Sequence, residues 1–227
     1  MRSLFLLAVA VLTLGACQSV ERTADRAAEG IEDGADAVAN AAGAAYDGAR
    51  DLLGRDAVAD DARVAVARIA APTDTTTGVR GTVTFVELDN GGVYVAYDLM
   101  GLSPGAHGFH VHAGRSCGPM DDDDDGAVEA GGAAMGHFNP MDSPHGAPDD
   151  DADERHAGDL GNITASAGGM AEGEMDDEVL SFDGSTSIVG HAMMIHGGRD
   201  DLTSQPSGDA GARIGCGLIT LTDRSRM

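Results

Sequence analysis

The sequence has no lysine at all: its fourteen basic side chains are all arginine, set against thirty-eight aspartates and glutamates for a formal charge of −24. A chain so acidic repels phosphate backbones, which excludes nucleic acid as a partner. Long hydrophobic runs are also missing. The most apolar stretch, about a dozen residues inside "MRSLFLLAVAVLTLGACQSV", is too short to span a bilayer as a mature anchor. Cysteine is scarce, with three in 227 residues, and no internal repeat is visible. The length suits one domain with a sizeable core plus a smaller appendage, not two full domains.

The amino terminus resembles a bacterial lipoprotein signal, with the Leu-Gly-Ala-Cys pattern carried by Leu14, Gly15, Ala16 and Cys17. That resemblance implies a signal peptide over 1–16, lipid on the Cys17 sulfur, and an exported protein anchored in the cell envelope at the periplasmic face of a bacterial membrane. An ordinary secretory signal is the other reading, and export follows from both. With Cys17 lipidated, Cys117 and Cys216 remain, and in an oxidising compartment a single disulfide is their simplest fate.

From residue 17 to 60 the composition turns to Ala, Asp, Gly and Arg without proline. Ala24, Ala28, Ile31, Ala35, Val38, Ala42, Ala45, Ala49 and Leu52 alternate four and three apart, a heptad seam. Alanine buries little, and Gly30, Gly34, Gly43 and Gly48 each cost about 1 kcal/mol of helix, so a stable coiled coil does not follow. The reading is a marginal helix acting as a tether to a domain over 61–227.

Beyond Ala62 the period becomes two. Val64 and Val66, Val83 and Phe85, then Val93, Val95, Tyr97 and Leu99 alternate with smaller or polar neighbours and are separated by turn-forming "LDNGG" and "GLSPGAHG". "STSIVGHAMMIH" and "ARIGCGLITLT" read likewise. Residues 113–160 and 197–211 lack apolar periodicity, and loops that long are usually functional. The expected fold is all-β, an antiparallel β-sandwich carrying two elaborated loops.

Three of the eight histidines fall within "HGFHVHAGRSC". On a strand, residues two apart share a face, so His110 and His112 point together while Phe109 and Val111 point to the core. Such a pair suits zinc, copper or iron. Further on come "GHFNP" with His137, "SPHGAPDDDADERHAGDLGN" with His145, His156 and Asp159, "VGHAMMIHGGRDDL" with His196, and "GARIGCG" with Arg213 and Cys216. In order and spacing these blocks resemble the copper/zinc superoxide dismutase family across roughly residues 62–222.

The resemblance implies a Greek-key sandwich or flattened barrel holding one copper and one zinc per subunit. Copper would lie on His110, His112, His137 and His196, and zinc on His137, His145, His156 and Asp159, with His137 bridging the metals and accepting a proton when the bridge opens. Asp200 would link the rings of His110 and His145, Arg213 would orient the superoxide anion, and Cys117 and Cys216 would form the disulfide. His107 matches a framework histidine, and His191 lies outside the ligand pattern. A monomer and a homodimer are both compatible with the family. The competing reading is a copper-binding or delivery module of the same fold without turnover, which would need neither the arginine nor the bridge.

Two departures bear on function. The rim residues expected around Arg213 are Arg199, Asp200, Asp201 and Asp209, so attraction of an anion should be weak and turnover should fall little, or rise, with salt. The run Asp121 to Asp125 reads as a solvated loop, and Met193 and Met194 read as core filler beside the more scattered Met120, Met135 and Met141.

Overall fold

Period-two alternation becomes eight antiparallel strands in the computed structural model, which describes residues 34–54, 57–72, 77–121 and 126–222. One helix, α1 (Gly34–Leu53), precedes β1 (Val64–Ala70), β2 (Arg80–Glu87), β3 (Val93–Met100), β4 (Gly105–His112), β5 (Asp159–Ala165), β6 (Met170–Asp177), β7 (Ala192–His196) and β8 (Arg213–Leu221). The signal, Cys17, the seam positions Ala24, Ala28 and Ile31, and Asp122 to Asp125 lie outside the described residues.

The strands form one sheet in the order β5-β4-β7-β8-β1-β2-β3-β6. Its two edge strands, β5 and β6, are consecutive in the chain and joined by a turn in which Ser166 N–H donates to the Met170 carbonyl at 2.8 Å. The sheet therefore curls into a nearly closed flattened barrel. The β3–β4 and β6–β7 connections each cross to a non-neighbouring strand, a Greek-key path. Phe85, Val95, Leu99, Phe109, Val111, Ile163, Met193, Ile195 and Ile219 fill the interior.

On β4 and β7 both faces are buried. The inward face meets the core, and the outward face is covered by the two long loops, 113–158 and 197–212. Beneath the first loop Ala134, Ala192, Met194 and Cys216 pack together, and the Cys117–Cys216 disulfide ties that loop to β8.

The seam of α1 has a different partner from the one its spacing implies. The chain divides into units 1–37 and 38–227, and of the first only the opening residues of α1 are described. From Val38 onward the helix packs on the barrel: Ala42, Ala45 and Ala49 are buried against Val58, Val64, Val66, Val86, Leu88 and Tyr94. Arg50 reaches Asp60, and the Tyr46 hydroxyl donates to the Ala59 carbonyl. The folded unit thus begins at Val38 and not at residue 61, and this part of the segment is docked instead of a free tether. Small alanines let the helix lie close to the sheet, while Leu52 at the end of the seam stays exposed.

Candidate metal centre

The site is built where two loops close over the outward faces of β4 and β7. Phe109 and Val111 enter the core, so His110 and His112 emerge together on the loop side. A register shift at Gly108/His110 bends β4 at this point, and another between Ile195 and His196 lies opposite Arg213 on β8. Backbone pairing pulls the first loop onto β4: Phe138 N–H donates to the Val111 carbonyl and Ala113 N–H to the Gly136 carbonyl, both at 2.8 Å. His137 is thereby set directly beside His112. The second loop is clamped to the first by Gln205, which bonds the backbone N–H and carbonyl of His145, each at 2.8 Å.

These constraints collect two clusters of donor atoms, each with its atoms within 4.8 Å of one another: His110, His112, His137 and His196, and His137, His145, His156 and Asp159. All are buried, and His137 belongs to both. Every ligand-type residue singled out in the sequence is therefore brought together here. His107 sits behind the first cluster, its Nδ1 on the His196 carbonyl at 2.7 Å. His191 packs on Phe138 and bonds the Ala113 carbonyl.

Hydrogen bonds at the back of each ring decide which nitrogen faces the cluster. His110 Nε2 donates to Asp200 Oδ2 at 2.7 Å, His112 Nδ1 to the Met135 carbonyl at 2.7 Å, His196 Nδ1 to the Gly211 carbonyl at 3.0 Å, and His145 Nε2 to Asp200 Oδ1 at 3.0 Å. A ring that donates from one nitrogen and is neutral offers a lone pair on the other. His110 Nδ1 and His137 Nε2 are buried without a hydrogen-bond partner, while His112 Nε2 and His196 Nε2 face each other at 3.3 Å. His145 Nδ1 lies 3.0 Å from Asp159 Oδ2 but out of line for a hydrogen bond. Lone pairs converging in a buried space are what a cation would satisfy, so the donor set fits a metal in each cluster: four nitrogens in one, three nitrogens and a carboxylate in the other.

In the four-histidine cluster the electrostatics agree. Burial, reinforced by the neighbouring rings, pushes His112 well below the usual histidine range, His137 to about 4 and His196 to about 3, so these rings are neutral and ready to coordinate at neutral pH. For His145 burial acts downward, yet Asp159 and Asp200 outweigh it and raise the group to about 9, so this ring holds its second proton between the two carboxylates at neutral pH and a metal binding there would displace it. Burial likewise opposes ionisation of Asp159 and Asp200, but the surrounding imidazoles hold both carboxylates well below the usual range.

The four-histidine cluster opens into a cavity of about 780 Å³ whose lining includes His112, His137, His156, His196, Asn139, Glu129 and Arg213. Arg213 is aimed by two carbonyls, those of Met135 at 2.9 Å and Gly131 at 3.4 Å. Of the rim residues expected from the sequence, Asp200 is the one that the structure places otherwise. Asp200 is fully buried as a link between rings, and Arg199, Asp201 and Asp209 are exposed residues that do not line the cavity. Glu129 and Arg155, whose guanidinium bonds the His156 and Asp159 carbonyls, carried no sequence signal beyond their charge.

Met135 occupies φ 62°, ψ −158°, a backbone region suited to glycine. Its carbonyl serves both His112 and Arg213, which explains why the conformation is held. Met135→Gly should keep both hydrogen bonds and raise stability by about 1 kcal/mol, measured by denaturant unfolding. A destabilised variant would show that no strain is stored there.

Comparison with known proteins places this geometry. The copper/zinc superoxide dismutase family matches residues 79–219. Copper-zinc superoxide dismutase 3 of Arabidopsis thaliana is 41% identical over 149 residues, covering 63% of this chain and 84% of its own. Copper-zinc superoxide dismutase 2 of Mesembryanthemum crystallinum is also 41% identical over 149 residues, covering 63% and 88%. A crystal structure of the clock protein EA4 superposes with a TM-score of 0.58 at 33% identity, covering 70% of this chain and 94% of that one.

Proposed function

The chain belongs to the copper/zinc superoxide dismutase family, and we propose that it works as an exported, lipid-anchored enzyme of a bacterial cell envelope. The reaction is superoxide dismutation: one superoxide anion is oxidised to oxygen while a second is reduced, with two protons, to hydrogen peroxide. The observation that carries it is the pair of buried clusters sharing His137 beneath a cavity lined by Arg213.

His110 Nδ1, His112 Nε2, His137 Nε2 and His196 Nε2 would hold copper, and His137 Nδ1, His145, His156 and Asp159 would hold zinc. When bound, copper supplies the one-electron exchange between its two oxidation states, and zinc supplies a fixed charge. Arg213 attracts the anion and orients it at the cavity floor. His137 has a nitrogen toward each cluster and is the group placed to hold or release a proton at Nε2. Asp200 keeps the His110 and His145 rings turned the right way. The covering loops narrow the approach so that a small anion reaches the floor.

The envelope reading rests on the sequence around Cys17. Among the described residues no helix is long and apolar enough to cross a membrane, and the anchor proposed is the lipid. Expressed in a bacterium, the full chain should partition with membranes, and Cys17→Ser should move to the soluble fraction. Equal partitioning would remove the lipid anchor.

Activity is tested on the full chain loaded with copper and zinc, beside His137→Ala and Arg213→Ala, with metal content measured on each sample. Arg213→Ala should keep its metals and lose about tenfold or more in kcat/KM at low salt, while His137→Ala should lose metal as well as rate. Wild-type turnover should decline little with salt at a chain charge of −24. Full copper loading with negligible turnover at every salt concentration would instead identify a copper-binding module.

A further inference from the structure

His145 is a ligand with little support from its own segment. His110 and His112 ride on β4 and His196 on β7, and His137 is paired to His112 across a β-bridge. His145 instead sits between Pro144 and Gly146 in a stretch, 142–147, that is neither helix nor strand. Its backbone has to be placed from outside, and the second loop does so. Gln205 Oε1 accepts the His145 N–H and Gln205 Nε2 donates to the His145 carbonyl, each at 2.8 Å. A carboxamide carries donor and acceptor without charge, so it meets both main-chain groups of one residue as a neighbouring strand would.

The turn that presents Gln205 is braced from within. Asp201 accepts from the backbone N–H groups of Thr203 and Ser204 at 3.0 and 2.8 Å and from the Ser204 hydroxyl at 2.6 Å. Gly208 closes the turn: its N–H donates to the Ser204 carbonyl at 2.7 Å, and its carbonyl accepts from the Asp201 N–H at 2.8 Å. Gln205 is itself exposed, so its bonds exchange with water and the hold on His145 can open. We infer that Gln205 is a positioning residue for the zinc ligand His145, gripping its main chain from the second loop so that the metal leaves only when that grip opens. This rests on reading the His137, His145, His156 and Asp159 cluster as the zinc site. Asp200 holds a ring in each cluster, whereas the carboxamide of Gln205 reaches the centre through His145. Its effect therefore falls on zinc and spares copper.

The experiment uses the full chain loaded with copper and zinc, as wild type, Gln205→Ala and Gln205→Met. Zinc release into excess chelator is timed, and copper is measured in the same samples. A second set carries cobalt(II) in place of zinc, whose visible bands report the geometry of its ligands. Gln205→Ala should release zinc about tenfold faster and show altered cobalt bands, with copper retained as in the wild type. Gln205→Met keeps the length of the side chain without either bond and should behave like Gln205→Ala. A Gln205→Met variant as slow as the wild type would overturn the inference, because the stem and not the carboxamide would then hold the loop. So would unchanged zinc release in Gln205→Ala, or copper loss quickened as much as zinc loss. A wild type that takes up neither zinc nor cobalt overturns the zinc reading of the cluster together with this inference, whereas tight wild-type binding with unchanged variants overturns this inference alone.

Discussion

Arg155→Met should destabilise the protein by about 3–5 kcal/mol and weaken zinc binding at the same time. Arg155 and Asp177 form an ion pair at 2.6 Å with both side chains 3% exposed. Removing one partner leaves a carboxylate buried without its counter-charge, the costly half of a buried pair. Asp177 cannot turn away, because its other oxygen accepts the backbone N–H groups of Val179 and Leu180. The zinc effect follows from the far side of the guanidinium, which donates to the carbonyls of His156 and Asp159 at 3.4 and 3.3 Å. Those contacts hold the turn that presents both residues. Arg155→Lys should fail to rescue, since an ammonium lacks the planar fork that spans the carboxylate and both carbonyls. The double variant Arg155→Met/Asp177→Leu separates the effects: denaturant unfolding should show much of the stability recovered, while competition with a zinc chelator should still show weakened binding. If both recover together, Arg155 has only a packing role.

The legible parts of this molecule were those encoded over short distances. The H-x-H pair is a local consequence of strand geometry, and His137, His145, His156, Asp159, His196 and Arg213 carried recognisable neighbours along the chain. The inward set Val83, Phe85, Val93, Val95 and Leu99 followed from period two. On β1 the same rule picked Val64 and Val66, yet these face α1, while Ala65, Ala67 and Ile69 face the core. The near-continuous apolar run "VAVARIA" reports burial on both faces but not what covers each. The docking of α1 was illegible for a related reason. An alanine seam reads alike on a free helix, a coiled coil and a docked helix, and the deciding groups, Val86, Leu88 and Tyr94, lie far along the chain. Glu129 was hidden because exposed and cavity-lining carboxylates look identical in so acidic a sequence, and loop closure separates them. By resemblance Asp200 is a link between rings and by its place in the second loop a rim charge, and its complete burial leaves only the first role.

Asp200→Ala should reduce affinity for both metals, each by about 10- to 100-fold, without touching an atom that binds either. One carboxylate accepts from His110 through Oδ2 and from His145 through Oδ1, so a single side chain sets the tautomer of a ring in each cluster. Without it, each proton is free to occupy the nitrogen that faces the cluster, and each ring is free to rotate. Asp200→Asn keeps the shape but retains only one acceptor oxygen. It should therefore injure one cluster far more than the other, and metal analysis after dialysis against a chelator would show which. The surroundings restrict any compensation: Leu202 N–H donates to Oδ1 at 2.7 Å, and Asn162 brackets the Asp200 backbone from both sides. Gly208 provides an independent check from outside the carboxylate. It sits at φ +68°, and a Cβ there would fall 1.8 Å from Asp200 Oδ1 and 2.6 Å from His145 Nε2. Gly208→Ala must displace the carboxylate, so it should reproduce the Asp200→Ala defect with every donor atom still present. If Gly208→Ala binds both metals as tightly as the wild type, ring orientation through Asp200 is not what sets affinity, and the two clusters owe their selectivity to the convergence of lone pairs alone.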